Sequence, residues 1–416
     1  MFILSNIVYN FTITLYALTA RLISPFHKKA RLMIKGHKRV VDILKKEIDP
    51  TAQYIWIHAA SLGEFEQGRP IIEEIKQKHP EYKILLTFFS PSGYEIKKDY
   101  ELADVVCYLP FDQKKYVKRF LNLANPSIAI FIKYEFWYNY IQSLHKRNIP
   151  VYMVSAIFRP NQLFFRWYGK GMREILRFYN CLCVQDNNSK QLLKTIGITN
   201  VEVCGDTRFD RVLKIKELAK DLSLVDAFLI DKQGEKSKTL VAGSSWPKDE
   251  DIFTSYFNNS NIKLIIAPHE IHESHLAYIE SLLKRPSVRY TQASLDTINN
   301  YDCLIIDTFG LLSSIYRYGD IAYIGGGFGA GIHNIVEAAV YKIPVIFGPN
   351  FKKFREAHQL IETGGGYSVK DFESFRGLME EFLQYPEVLH SAGNGAGNYV
   401  STNAGATDKV MKMINL

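Results

Sequence analysis

An α/β chain with two parallel-sheet domains behind an apolar N-terminal helix is predicted by three observations. From Gln53 onward, short apolar runs alternate with longer amphipathic segments, the pattern of strands buried on both faces and joined by crossover helices. The alternation comes in two series, separated by Phe209 to Lys238, which is charged and carries no strand signal. The first twenty residues, Met1 to Ala20, hold no charged residue.

That opening stretch is long enough to matter to a bilayer, since a span needs about 20 mainly apolar residues. Ser5, Asn6, Asn10, Thr12, Thr14 and Thr19 interrupt it and lower its insertion propensity. Seven Lys or Arg follow between Arg21 and Arg39 without an acid, an order opposite to that of a cleaved signal peptide. The positive-inside rule assigns such a flank to the cytoplasmic face, where each cation adds up to about 1 kcal/mol near anionic headgroups. The sequence is read as a membrane-associated helix with a basic flank over residues 1–50; the alternative is a buried helix with a solvated basic flank.

The first series comprises Tyr54 to Ala59, Lys83 to Phe88, Ser127 to Ile132, Val151 to Ala156, Cys181 to Gln185 and Val201 to Gly205. The second comprises Thr239 to Ser244, Lys263 to Pro268, Cys303 to Asp307, Ile321 to Gly326 and Pro344 to Pro349. These give two Rossmann-like domains, 51–215 and 216–416, expected to face each other across a cleft. No internal repeat or low-complexity tract interrupts them.

Composition narrows the classes. With 416 residues, 47% of them hydrophobic, the chain is globular and neither disordered nor collagen-like. Five Cys without a C-x-x-C spacing give neither a disulfide framework nor a four-thiolate zinc site, and fit a reducing, cytoplasmic compartment. The net charge of +8 is local: residues 1–50 hold nine Lys or Arg against three acids, so six of the eight charges sit there. The rest presents no phosphate-binding stripe for nucleic acid.

In doubly wound sheets, ligands bind at the carboxyl ends of the strands. After the first strand comes HAASLGEFEQGRP, a tight turn at Ser61 and Gly63 that sets Glu64 near a helix N-terminus. An acid there is either a helix-dipole partner or a reacting carboxylate. After SIAIFI comes KYEFWYNY, with Glu135 among Lys133, Tyr134 and Trp137 at another strand end. Two carboxylates on neighbouring strand ends can share acid/base and positioning work.

In the second series, IAYIGGGFGAGIHNIVEAA reads as strand, glycine turn and a helix beginning near His333 or Asn334, which aims N–H groups and a positive dipole end at an anion, most plausibly phosphate. Gly325-x-Gly327-x-x-Ala330 fits a relaxed dinucleotide fingerprint, but the next strand ends in Asn350 where a dinucleotide site wants an acid. Glu337, one turn into the helix, favours a mononucleotide.

The succession HAASLGEFEQGRP, KYEFW, CGDTRFD, AGSSW, APHE, DTFGLLSSIYRYGDIAYIGGGFGAGIHNIVEAA and FGPNFKKF resembles the bacterial 3-deoxy-D-manno-octulosonic acid (Kdo) transferases across nearly the whole chain. The resemblance implies a GT-B glycosyltransferase fold, a CMP-Kdo donor and the lipid A precursor lipid IVA as acceptor at the inner membrane. It implies metal-independent, cofactor-free transfer with inversion at the anomeric carbon.

By motif, Glu64 matches the family's general base toward the glucosamine 6′-hydroxyl, assistance worth about 10²- to 10⁴-fold. Glu135 matches the second acid of the family's E-x-E-x-W, with Lys133 in place of the first. Arg208 stands where the family usually has Lys and is expected to stabilise charge on the Kdo carboxylate or the departing phosphate. Pro268 and His269 match a Pro-Arg pair contacting CMP, His exchanging a fixed charge for a titratable one. Phe309, Gly310 and Leu311 match the cytidine-side M-G-E loop, Leu311 departing from Glu. Asn334, Ile335, Val336 and Glu337 match N-x-x-E, with Glu337 binding the ribose. With Arg absent at 269, Arg208 or the helix dipole at Asn334 is expected to take more of the phosphate.

His269, His272 and His275 are spaced by three, a possible metal face, but they are read as exposed first-turn residues of a helix starting at Pro268. Phe158, Phe164, Phe165, Trp167 and Tyr168 bracket Arg159 and Arg166, a mixture suited to a lipid acceptor or to plain packing. The rival functions are a UDP-sugar transferase or epimerase on the same fold, and a membrane-tethered nucleotide-sugar binding protein without catalysis.

Overall fold

The structure, a computed structural model, describes residues 2–231 and 233–416, with the side chains of residues 2–5 left aside. Met1, at the head of the apolar stretch, and Lys232, in the charged junction, lie outside the described residues. The chain divides into two compact units: residues 1–211 with 404–416, and residues 212–403.

In the first unit, β1 (Tyr54–His58), β2 (Lys83–Phe88), β3 (Val105–Tyr108), β4 (Ile128–Ile132), β5 (Val151–Ala156), β6 (Cys181–Val184) and β7 (Val201–Val203) form one sheet, ordered β3-β2-β1-β4-β5-β6-β7. Every neighbouring pair is parallel. β1 is buried along its whole length, as a strand covered on both faces must be. Its alternate residues feed two cores, Tyr54 and Trp56 on one face, Ile55 and Ile57 on the other.

The second unit repeats the plan with β8 (Thr239–Ser245), β9 (Lys263–Pro268), β10 (Ser287–Arg289), β11 (Cys303–Ile305), β12 (Ile321–Ile324), β13 (Val345–Phe347) and β14 (Gly366–Ser368), ordered β10-β11-β9-β8-β12-β13-β14. All its pairs are parallel. The order reverses direction between β1 and β4 in one sheet and between β8 and β12 in the other. Those switch points open the crevice where such sheets bind ligands.

The strands β3, β10 and β14, not anticipated from sequence, are all sheet edges. Ser287–Arg289 and Gly366–Ser368 are three residues each, without an apolar run. The five cysteines are free and buried.

Two helices precede β1. Phe2–Ile23 and Lys28–Glu47 meet at a bend of 114°. Among the described residues no single helix is long and apolar enough to cross a membrane, although this bent pair passes on length and composition together. The second helix lies on the β3 edge and buries Met33, Val40 and Leu44. Gly36 permits that approach, since a Cβ there would come within 2.1 Å of the Tyr108 ring.

The first helix is tied to its unit by polar contacts: Tyr9 hydroxyl donates to Asp112 Oδ2 at 2.6 Å, and Asn139 Nδ2 donates to Asn10 Oδ1 at 3.0 Å. Ala17 and Ala20 are buried on the same side. Val8, Phe11, Leu15, Leu18 and Leu22 are each at least half exposed, and their alternating spacing of three and four makes one outward stripe.

The C-terminal segment corrects the expected domain limits. Residues 404–416, assigned from sequence to the second domain, belong to the first unit. Val410 and Ile414 of the helix Ala406–Ile414 complete the core beneath β1 and β4, and Asp210 Oδ1 and Oδ2 accept from Gly405 N and Thr407 N, both at 2.6 Å. The division falls at 211/212 rather than 215/216, inside the helix Thr207–Glu217.

Candidate active site

The first unit concentrates its chemistry at the β1/β4 switch point. β1 ends at His58, and Ser61 caps the helix Leu62–Lys78 in extended backbone (φ −139°, ψ 176°), which sets Glu64 in the first turn. Ser61 Oγ donates to Glu64 Oε2. The helix sits close on the strands because Gly68 leaves room for Ile132 of β4 and Ile57 of β1. Glu64 is half-buried at the edge of the crevice.

Across the switch point, β4 runs into Lys133, a non-glycine residue in the left-handed region (φ 65°), a conformation retained at bends that functional sites require. The bend delivers Glu135 beside His58: Glu135 Oε2 lies 3.3 Å from His58 Nε2 and accepts from Trp137 Nε1 at 2.5 Å. Trp137 Nε1 is also 3.1 Å from His58 Nε2. His58 itself is fully buried, its Nδ1 held 2.9 Å from Thr87 Oγ1 and 3.1 Å from the Thr87 carbonyl. Nδ1 is thus turned to Thr87, and Nε2 is the atom that faces Glu135 and Trp137. Tyr179 hydroxyl donates to the Glu135 carbonyl at 3.0 Å, fixing the backbone as well as the side chain.

Arg208 follows β7. Its Nε and one Nη donate to Asp206 Oδ2 at 2.9 and 2.7 Å, while Gln67, on the Glu64 helix, donates to Asp206 Oδ1 at 3.0 Å. Burial alone would raise the Asp206 carboxyl; the Arg208 guanidinium and the surrounding hydrogen bonds outweigh it and hold the group below the usual carboxylate range. One buried acid thus ties the cation to the helix that carries Glu64.

In the second unit the strand ends of β8, β9 and β12 converge. Trp246 after β8, His269 after β9 and His333 after the glycine turn form a stack: the Trp246 and His269 ring centroids are 4.8 Å apart, those of His269 and His333 4.3 Å. Trp246 Nε1 donates to His333 Nε2 at 3.1 Å. Burial first, then His269, lowers the His333 pKa to about 4, so His333 is neutral and accepts this bond at physiological pH.

The glycine turn is braced from behind. Asp249, almost wholly buried, accepts from Gly326 N at 2.8 Å and from the Tyr323 hydroxyl at 2.9 Å. Gly326 takes a left-handed φ of 90°, which glycine adopts without strain. Asn350, where a dinucleotide site would have its acid, instead braces the turn: its N donates to the Gly327 carbonyl and its Nδ2 to the Gly329 carbonyl, both at 2.9 Å.

Two expectations about helices change here. The helix after the glycine turn is Val336–Ala339, four residues long; it starts after Asn334, and Asn334 Oδ1 accepts the Val336 N–H at 3.2 Å. A helix dipole at Asn334 is therefore not the anion device foreseen. Asn334 does orient Glu337, donating Nδ2 to Glu337 Oε1 at 2.8 Å. Pro268 ends β9 instead of starting a helix, which begins at Glu273. His275, read as exposed, is buried, with Nε2 3.0 Å from both Glu250 carboxylate oxygens. Among the described residues no group of three His, Cys, Asp or Glu is arranged to hold a metal ion.

Of the predicted residues, Glu64, Glu135 and Arg208 lie in the first unit, the two acids at adjacent strand ends. Pro268, His269, Asn334, Ile335, Val336 and Glu337 lie at strand ends of the second, Ile335 and Val336 buried beneath the turn. Phe309, Gly310 and Leu311 follow β11, one strand beyond β9, with Phe309 exposed and Gly310 at φ 87°. His58, Asp206, Trp246 and Asp249 were not singled out, although the first three stand inside the motifs HAASLGE, GDTRFD and AGSSW. A buried strand-end His or Asp in such a motif was the signal.

Residues 30–211 match the model of the 3-deoxy-D-manno-octulosonic-acid transferase (kdotransferase) family. A 3-deoxy-D-manno-octulosonic acid transferase of Aquifex aeolicus is 30% identical over 346 residues, 80% of this chain and 87% of the relative. The chain belongs to this family. A transferase of the same name from Haemophilus influenzae is 27% identical, covering 88% of this chain and 87% of its own length. Among solved structures, the UDP-GlcNAc 2-epimerase of Neisseria meningitidis bound to UDP-GlcNAc superposes with a TM-score of 0.62 at 15% identity, over 87% of this chain and 99% of that one. MurG of Acinetobacter baumannii gives 0.53 at 12%, over 87% and 99%. These likenesses concern the fold, which is that of the GT-B glycosyltransferases.

Proposed function

We propose that the protein transfers Kdo from CMP-Kdo to lipid IVA, in lipopolysaccharide synthesis at the cytoplasmic face of the inner membrane. The observation that carries this reading is the pair Glu64 and Glu135 at the two strand ends flanking the first sheet's switch point, in a chain whose relatives are named for this transfer. Glu64 takes the proton of the glucosamine 6′-hydroxyl as its oxygen attacks the anomeric carbon of Kdo. The new C–O bond forms on the face opposite the one that breaks, and CMP departs, giving inversion. Glu135, held by His58 and Trp137, positions the acceptor side of the site. Arg208 offsets the charge of the Kdo carboxylate or the departing phosphate. His269 and Pro268 take the CMP phosphate side, Phe309 to Leu311 the cytidine, and Glu337 the ribose hydroxyls. No step calls for a metal.

The first helix supports a surface-lying rather than spanning attachment. Its inner side is committed to Asp112 and Asn139, and its outer stripe of Val8, Phe11, Leu15, Leu18 and Leu22 is apolar. Such a helix lies in the interface with one face in lipid. Leu163, Trp167 and Tyr168 add exposed apolar surface and belong to the segment beside which this helix packs.

The test is mass spectrometry of lipid IVA incubated with the protein and freshly made CMP-Kdo, beside Glu64→Gln and EDTA controls. The expected result is a gain of Kdo mass that EDTA leaves alone and that Glu64→Gln slows by about 10²- to 10⁴-fold. No gain alongside an active control transferase overturns the proposal; unaltered transfer by Glu64→Gln removes Glu64 as the base.

A further inference from the structure

Between the helix Lys28–Glu47 and the helix Lys114–Ala124 lies a cavity of about 380 Å³, none of whose lining residues belongs to the strand-end sites. That size is within the about 300–1,000 Å³ of small-ligand pockets. Its floor is apolar, with half-buried Ile34 and Val41 beside the buried Val40, Leu44, Phe111 and Phe120. Its mouth carries the exposed cations Arg21, Lys38 and Arg119, with Asp42 the one acid of the lining. Lys38 and Arg119 have no ion-pair partner among the described residues, and Arg21 donates to the Tyr116 hydroxyl at 3.0 Å.

His37 belongs to the lining as well. Its ring stands edge-on to Phe111, centroids 4.5 Å apart, and both ring nitrogens are sealed from solvent without a hydrogen-bond partner. Burial first, then Arg21, lowers its pKa to about 4. The imidazole therefore packs as part of the cavity's wall, edge-on to Phe111, with its nitrogens turned away from accessible space.

We propose that this cavity holds one molecule of anionic phospholipid. Its phosphate lies among Arg21, Lys38 and Arg119, and its glycerol and first acyl methylenes on Ile34 and Val41, the half-buried apolar residues of the lining. A water-soluble phosphate would leave the apolar floor without contact, and a neutral chain would leave the cations unmatched. Phospholipid is the amphiphile at hand because Arg21 closes the helix whose outer stripe meets the bilayer, so the inference rests on that membrane reading. The bound lipid would join the two N-terminal helices across their bend.

The experiment titrates the full chain with dihexanoyl-phosphatidylglycerol below its micelle concentration, beside dihexanoyl-phosphatidylcholine and inorganic phosphate, counting bound molecules by native mass spectrometry. One molecule per chain is expected, at least about tenfold tighter for phosphatidylglycerol than for either control. Arg119→Glu, an exposed change, weakens it roughly tenfold or more; Val41→Phe, which fills the cavity, abolishes it, and neither lowers the lipid-free melting temperature appreciably. Equal affinity for phosphatidylcholine or phosphate, binding indifferent to Arg119→Glu, or no binding overturns the proposal. In phospholipid-free micelles Arg119→Glu keeps the unaltered chain's KM for the acceptor; a raised KM would assign the cavity to the acceptor and overturn it too. Failure of the unaltered chain to float with phosphatidylglycerol vesicles would defeat the membrane reading, which the short-chain titration does not depend on.

Discussion

His58 Nε2 and Glu135 Oε2 stand 3.3 Å apart across the first sheet's switch point, with Trp137 Nε1 donating between them. The histidine cannot swing away, because Thr87 holds its other nitrogen at 2.9 Å. Glu135 therefore has a fixed carboxylate on a loop. His58→Gln releases it, and displacement of a positioning group by about 1 Å costs roughly 10²-fold. The expected outcome is a fall of that order in kcat for Kdo transfer with CMP affinity unchanged, since the proposed CMP contacts all lie in the second unit; equal losses in both would count against a positioning role.

Asp206→Asn leaves the Arg208 guanidinium without its carboxylate. Hydrogen bonds to charged groups contribute about 1.5–3 kcal/mol, so the melting curve of the variant shifts down by a corresponding amount at pH 7. Because Asp206 is held below its ordinary pKa, its contribution is full above the unfolded carboxylate value and is lost as pH falls through the folded one. The gap between the two proteins should close in acid. A gap that stays constant down to the acid limb would contradict the pairing.

His333 works in the opposite chemical sense with the same sign. Its pKa is lowered to about 4, so the fold binds fewer protons there than the unfolded chain between about pH 6.5 and 4. Stability from this site is present above pH 6.5 and is lost as pH falls toward 4. His333→Phe should flatten that limb of the stability profile, read by chemical denaturation at stepped pH, and leave the pH 7 value little changed.

The outer stripe of the first helix makes a separate prediction. Burying a Phe or Leu side chain contributes about 1.5–3 kcal/mol, so Phe11→Asp with Leu18→Asp should lower binding to anionic vesicles by more than about a hundredfold in a flotation assay. Transfer to a dispersed acceptor in detergent should persist. Unchanged flotation would send the membrane contact elsewhere.

Ile414, in the last helix, is buried beneath the first sheet. Ile414→Ala should cost about 2–5 kcal/mol, and hydrogen exchange should quicken in β1 and β4 while β8 and β12 keep their protection. Exchange that quickened only in the second unit would contradict the chain's return to the first.

What the sequence revealed and what it hid follow from burial. Runs such as YIWIH and KLIIAP announce themselves because strands covered on both faces must be apolar throughout, and strand ends then point to Glu64, Glu135, His269 and the glycine turn. The edges β10 and β14 had no such constraint and left no run. Local spacing also placed the helix start at His333 or Asn334, where Asn334 instead accepts the first helical N–H, that of Val336, with its own side chain. Partners such as Thr87 for His58, and Asp249 for Gly326, lie 29 and 77 residues away, beyond any pattern of period 2 or 3.6. The outward stripe of the first helix was partly legible as an uncharged stretch, but which side faces out depends on Asp112, in the loop after β3, and Asn139, in the helix after β4, both distant in sequence.

The return of residues 404–416 to the first unit makes the second an insertion within it. During synthesis the ribosome finishes the whole of the second unit before it makes the helix that seals beneath β1 and β4. The nascent chain, growing at about 5–20 residues per second, carries an incomplete first unit, its core without Val410 and Ile414, throughout that interval. The N-terminal half, though made first, is the last to mature.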